Sequence, residues 1–281
     1  MTNEKQKVWL ITGCSTGLGR ALAENALAAG ATVAATARSA ATLDGLKEKY
    51  PETCLPNSLD VTDREQCEEV VQAVIAQTQR IDVLVNNAGY GLLGSLEEST
   101  DEQIQKNFAT IVFGAIHLIR AALPTLRAQR SGRIINISAA AAISNYAGFA
   151  VYGGAKLALE GISESLAAEV KPLGIKVSLV QPGPFRTDFV SRSMETAPSS
   201  IADYAGTVGK FGAFLQKMDG HQPGDPVKAA EAIRHLSEME NPPLRLVLGK
   251  YALEKTERVL KARQRELESV KELGLGMEYD V

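Results

Sequence analysis

A tyrosine and a lysine four residues apart, Tyr152 and Lys156, are the pair in this chain best suited to moving a proton. On a helix that spacing puts both side chains on one face. A free phenol titrates at about pH 10, a poor match to neutral catalysis. An adjacent ammonium favours the phenolate and is expected to lower that value. Such a tyrosine can pass a proton to or from a carbonyl oxygen while a redox cofactor carries hydride. The spacing is common by chance, so it gains meaning only from its setting.

Part of that setting is Thr12-Gly13-Cys14-Ser15-Thr16-Gly17-Leu18-Gly19, at the end of an apolar run over 8–12. Glycines permit a tight turn and a close approach of backbone to a phosphate. The helix expected over 19–29 would then offer free N–H groups and the positive end of its dipole. A strand, a glycine cluster and a helix in that order point to nucleotide binding, whereas a glycine cluster alone would be a tight turn.

These residues must be held by a scaffold, and the rest of the chain supplies one. Strands are expected over 8–12, 32–37, 54–59, 81–86, 133–138 and 176–181. Helices are expected over 19–29, 41–49, 63–77, 101–126 and 151–170. This βαβα rhythm implies a mainly parallel sheet with helices on both faces, wound by right-handed crossovers. One domain is expected over 1–250. Within it, 188–226 is rich in small and polar residues around Phe211 and Phe214, and reads either as a substrate lid or as packed surface helices. A charged helical tail covers 251–281, with Leu253, Leu260 and Leu267 in a thin stripe that faces solvent, the domain or a partner.

Composition narrows the function classes. The chain has 281 residues, 45% hydrophobic and 22% charged, with a net charge of −3. That balance favours neither nucleic acid nor an anionic membrane. Cys14, Cys54 and Cys67 form no C-x-x-C pair, which suits a reducing, cytoplasmic compartment over a disulfide framework. His117, His221 and His235 lack metal-ligand spacing, and no metal is expected. Neither a signal peptide nor a membrane-spanning stretch is expected.

The glycine spacing G-x-x-x-G-x-G resembles that of the short-chain dehydrogenase/reductase family. So do Asn86-Asn87-Ala88-Gly89, Tyr152-Gly-Gly-Ala-Lys156, and Pro182-Gly183 followed by Thr187. These marks cover roughly residues 7–190 in the family's order. The resemblance implies a doubly wound, Rossmann-type α/β fold with a seven-stranded, mainly parallel sheet in a single domain. It implies that Gly13, Ser15, Thr16, Gly17, Leu18 and Gly19 hold the pyrophosphate, and that Asp60 and Val61 lie near the adenine. It places Asn87, Ala88 and Gly89 along the cofactor, and gives Lys156 a second role at the nicotinamide ribose. It assigns Pro182, Gly183, Phe185 and Thr187 to the nicotinamide end, and implies a homodimer or homotetramer formed through the fourth and fifth helices. Strand two ends Thr36-Ala37-Arg38-Ser39, without the acid that NAD-selective sites use. Arg38 can pair with a 2′-phosphate, so NADP(H) is the expected cofactor.

Two family positions are substituted. The serine expected thirteen residues before the tyrosine is Ala139, with Ser138 or Ser144 as conceivable stand-ins. The asparagine expected in the long helix is Ile111, with Asn107 one turn earlier. Gly153 and Gly154 are expected to open space beside the cofactor. Arg186 reads as loop material or as a contact for an anionic substrate. Tyr146, Phe149, Phe185, Phe189, Phe211 and Phe214 are candidates for an apolar pocket. Three functions stay open: an oxidoreductase acting on a small carbonyl or alcohol, slowly or on an activated carbonyl; a non-redox catalyst such as a cyclase or isomerase; and a cofactor-binding protein without turnover.

Overall fold

The computed structural model describes residues 6–277 and 279. Residues 1–5 of the expected domain, and 278, 280 and 281 of the expected tail, lie outside the described residues. In chain order the elements run β1 (Val8–Ile11), α1 (Gly17–Ala28), β2 (Thr32–Ala37), α2 (Asp44–Lys49), β3 (Cys54–Ser58), α3 (Arg64–Thr78), β4 (Val83–Asn86), β5 (Gly91–Leu93), α4 (Asp101–Phe108), α5 (Gly114–Gln129), β6 (Gly132–Ile137), α6 (Ala140–Ile143), α7 (Ala150–Val170), β7 (Ile175–Pro182), β8 (Met194–Thr196), α8 (Lys210–Met218), α9 (Pro226–Glu238), β9 (Arg245–Leu248) and α10 (Lys250–Gly274).

Seven strands pair in parallel in the order β3-β2-β1-β4-β6-β7-β9. This is the expected doubly wound, seven-stranded fold in one domain. The winding reverses between β1 and β4, where α/β sheets leave a crevice at the strand C-termini. The seventh strand, β9, has no counterpart among the strands read from sequence, which ended at residue 181. Its run Leu244-Arg245-Leu246-Val247-Leu248, between Pro243 and Gly249, carried the signal.

Period-two alternation sorts the central strand between two cores. Trp9 and Ile11 face α1 and α9, with Leu22, Ala26, Ile233 and Leu236. Val8 and Leu10 face α3, α5 and α7, with Val71, Leu118, Leu126 and Leu166. The helix expected over 101–126 extends to Gln129 and is interrupted by a π-helical turn, Ala109–Phe113. By length and composition alone, Asp101–Gln129 is apolar enough to cross a membrane. Here Leu118, Ile119, Ala122 and Leu126 are core residues covering the sheet.

The segment over 188–226 is neither a bare loop nor a helix pair. β8 pairs with β5 in a separate two-stranded sheet, a bridge joins Phe185 to Gly224, and α8 lies between. In the tail, Ala252 and Lys255 are buried against the domain, while Leu253, Leu260 and Leu267 are exposed.

Candidate active site

β1 delivers the glycine turn to the crevice. Gly13 and Gly17 have φ of +70° and +61°, which side chains strongly disfavour. Thr16 caps α1 without a side-chain hydrogen bond, so the first-turn amides of α1 keep no partner from the cap. Thr12, which the sequence reading passed over, pins this turn to the end of β4. Its hydroxyl accepts from the amides of Asn87 and Ala88, both at 2.9 Å. Asn87 Nδ2 donates to the carbonyls of Thr12 (2.8 Å) and Gly13 (3.2 Å).

A cavity of about 840 Å³ opens above this turn. Of the residues expected to bind cofactor, Gly13, Ser15, Thr16, Gly17, Leu18, Arg38, Asp60, Val61, Asn87, Ala88, Gly89, Tyr152, Lys156, Pro182, Gly183, Phe185 and Thr187 all line it. Gly19 does not. It is buried beneath the turn, where a Cβ would collide with Asn87 and the Gly13 carbonyl. Arg38 is exposed at the end of β2. Asp60 accepts from the amide and hydroxyl of Thr62 at 2.9 and 2.7 Å. The open amides, the positive-φ glycines and the exposed guanidinium fit a dinucleotide bearing a phosphate near Arg38. Among the described residues, no group of three or more His, Cys, Asp or Glu is placed to hold a metal.

Tyr152 and Lys156 lie on α7, both buried. Lys156 Nζ stands 6.0 Å from the Tyr152 ring centroid and donates to the Ile137 carbonyl at 2.6 Å. The expected lowering of the phenol's pKa is absent from this arrangement. Burial pushes Tyr152 up, and the same desolvation brings Lys156 down to about 8. The ammonium donates to the Ile137 carbonyl and not to the phenol, so loss of water outweighs its field.

Both positions read as substituted are apolar and buried, and of the two only Ala139 lines the cavity. Ala139 and Ile111 are 8% and 2% exposed. Ile111 sits in the π-helical turn, and its side chain and Lys156 Nζ both abut the Cα face of Gly89. Asn107 precedes the turn but does not replace it, for it is fully buried with Nδ2 on the Tyr90 carbonyl at 3.1 Å. Ser138 lines the cavity, yet its hydroxyl donates to Glu160 at 2.6 Å, so its proton is spent. That geometry argues against Ser138 as a carbonyl-oxygen donor. Ser144 is not among the cavity-lining residues; it ends α6, and Lys255 donates to its carbonyl.

Glu160, unread in the sequence, is 4% exposed and accepts from Ser138, from Gln181 Nε2 (2.7 Å) and from Arg245 Nε (3.2 Å). Four residues after Lys156, it holds part of that lysine's charge. Gly153 makes room for Asn145, whose side chain would meet a Cβ there, and not for a cofactor. Arg186 is exposed outside the cavity and donates to the Gln222 carbonyl. The six aromatic candidates, Tyr146, Phe149, Phe185, Phe189, Phe211 and Phe214, do line the cavity.

Comparison with known proteins places this site in context. The family described as short chain dehydrogenase matches residues 7–198. "Oxidoreductase BOA17" of Botryotinia fuckeliana is 38% identical over 249 residues, 88% of this chain and 90% of that one. The crystal structure of a short-chain dehydrogenase from Streptomyces avermitilis superposes with a TM-score of 0.93 at 43% identity, covering 99% of this chain and 100% of that one. ElxO with NADP bound is a more distant neighbour, with a TM-score of 0.74 and 26% identity over 89% of this chain and 99% of that one.

Proposed function

The chain belongs to the short-chain dehydrogenase family, and from that premise we propose that it is an oxidoreductase that uses NADP(H) to interconvert a carbonyl compound and an alcohol. The observation that carries the reading is one continuous cavity running from the open N-terminus of α1 to the Tyr152–Lys156 face of α7. Only the far end of such a cavity is free for a substrate once a dinucleotide fills the near end.

The bound nicotinamide would supply or remove hydride. The protein's own residues divide the remaining work. The α1 amides and the Ser15–Thr16–Gly17 backbone hold the pyrophosphate, and Arg38 pairs with the 2′-phosphate. Thr187, adjacent to Gly17, and the Pro182–Gly183 backbone orient the nicotinamide end. Tyr152 holds the proton that the substrate oxygen takes. Lys156 fixes the ribose and keeps a positive charge beside the phenol. The NADP preference is supported by Arg38 and by the NADP carried by ElxO. We also propose a homodimer or homotetramer in a reducing compartment, where the free, buried Cys14, Cys54 and Cys67 stay as thiols.

A second reading, a non-redox or silent cofactor-binding protein, draws support from Ala139, Ile111 and the spent proton of Ser138. Oxidation of NADPH against ketones and aldehydes separates the two. Turnover that disappears in Tyr152→Phe supports hydride transfer. Tight NADPH binding with no turnover across the set, in wild type, overturns it.

A further inference from the structure

The substrate half of the cavity is walled by rings. Phe149 meets Tyr152 edge-on with centroids 5.1 Å apart, and Phe211 at 4.9 Å. Tyr146 stacks on Phe211 at 4.9 Å and 8°. Phe189 covers the other side of Tyr152 at 5.7 Å. Tyr146 is itself fixed, its hydroxyl 2.9 Å from that of Tyr251 and its ring beneath Lys255 Nζ at 3.5 Å. A rigid slot of this kind selects flat apolar groups by stacking.

Charge is balanced at its rim. Lys106 lies 4.0 Å from Glu195, and Arg192 lies 3.8 Å from Asp188. Arg186 is turned out of the cavity, so an anionic group on the substrate gains no free partner there. Beside Tyr152 the wall carries the methyl groups of Ala139 and Ala141, and Ser138 donates elsewhere. Loss of one oxyanion donor costs about 10²–10³ in rate. A substrate recovers part of that loss when its own structure stabilises the developing oxyanion.

We propose that the substrate is an uncharged aryl carbonyl compound whose reacting carbonyl is activated by an adjoining carbonyl, an aryl 1,2-dione being the simplest form. The inference rests on the hydride-transfer reading. The carbonyl carbon accepts hydride with its electron pair, the C=O π pair passes to oxygen, and that oxygen takes the Tyr152 hydroxyl proton. The reductant is the dihydronicotinamide, which is oxidised as the carbonyl becomes a secondary alcohol. The phenolate regains its proton from solvent.

Four matched probes test each element: 1-phenylpropane-1,2-dione, 1-phenylpropan-1-one, butane-2,3-dione and phenylglyoxylate. NADPH oxidation gives kcat/KM, and calorimetry on the protein with NADP⁺ gives binding without turnover. The first probe is expected to exceed each of the others at least 30-fold in kcat/KM, and to bind at least tenfold tighter than butane-2,3-dione and phenylglyoxylate. Ala139→Ser should narrow its lead over 1-phenylpropan-1-one at least tenfold. Phe211→Ala should narrow its lead over butane-2,3-dione, with the Kd for NADPH reporting that the variant is folded. Equal rates for the two diones, for the aryl dione and aryl monoketone, or for the neutral and anionic aryl probes overturn the inference while leaving hydride transfer standing. Absence of turnover with all four, despite bound NADPH and aryl-selective binding, overturns the hydride-transfer reading itself.

Discussion

The ammonium of Lys156 is bonded to the backbone at Ile137 and lies over the Tyr152 ring at 6.0 Å from its centroid, so each of the two groups carries the cost of its own burial. Lys156 falls to about 8, chiefly by desolvation, with Glu160 drawing it partly back. Between about pH 8 and its ordinary value of 10.5 the folded lysine holds fewer protons than the unfolded one. Its unfavourable contribution is therefore full below pH 8 and fades as pH rises through that window. Lys156→Met is expected to stabilise the apo protein at pH 7 by on the order of 1–3 kcal/mol while abolishing turnover. Urea unfolding of both proteins at pH 7 and pH 10 checks this, and the variant's advantage should shrink at the higher pH. Comparison with wild type removes Cys14, Cys67 and Tyr152, whose raised values act with the opposite sign.

Arg38 is the one cation at the end of β2, and Asp60, after the neighbouring strand β3, is occupied by Thr62. Arg38→Asp should raise the Kd for NADPH by about 10–100-fold, the worth of a charge-assisted hydrogen bond of about 1.5–3 kcal/mol. The Kd for NADH should hold or fall. Calorimetry with both nucleotides decides; a parallel loss for the two would remove Arg38 from the phosphate.

Gly19 and Gly161 form a contrasting pair. A Cβ on Gly19 meets Asn87 and the Gly13 carbonyl, whereas one on Gly161, exposed on α7, has no neighbour within 4 Å. Gly19→Ala is expected to cost about 1–3 kcal/mol and to weaken nucleotide binding by displacing the turn. Gly161→Ala should stabilise the chain by up to about 1 kcal/mol without touching nucleotide affinity. Thermal unfolding and calorimetry read both.

Glu160 joins α7 to β6, β7 and β9 through Ser138, Gln181 and Arg245. Glu160→Ala leaves the buried donors of Ser138 and Gln181 unpaired, while Arg245 keeps Glu164, and is expected to cost about 1–3 kcal/mol for each orphaned donor. Glu160→Gln keeps one acceptor and should cost less, measured by denaturant unfolding at pH 7.

The glycine turn, the mainly parallel doubly wound sheet and the placement of Tyr152 beside Lys156 were readable because each rests on local pattern: strands alternating with helices, glycines at fixed offsets, a four-residue helical step. The π-helical turn after Asn107 was not, since nothing in Ala109–Phe113 departs from ordinary helical residues. β9 was missed for being short and late, although its flanking Pro243 and Gly249 marked it. The pairing of β5 with β8 joins segments a hundred residues apart, and three-residue strands leave no periodicity. The direction of the Tyr152 shift depends on where Lys156 Nζ points and how dry α7 becomes, which four-residue spacing cannot convey. Glu160 looked like one more helical charge until the fold closed around it.

Trp9 is the chain's only tryptophan, and it is 2% exposed within β1, four residues before Gly13. The indole is thus a dry, immobile lamp at the base of the crevice. Its emission should redden only when the sheet comes apart, giving a clean optical signal for unfolding. A ligand in the cavity cannot quench it by touch. A dihydronicotinamide, which absorbs where indole emits, would instead glow by energy transfer, so one excitation wavelength would report folding and occupancy in two separate colours.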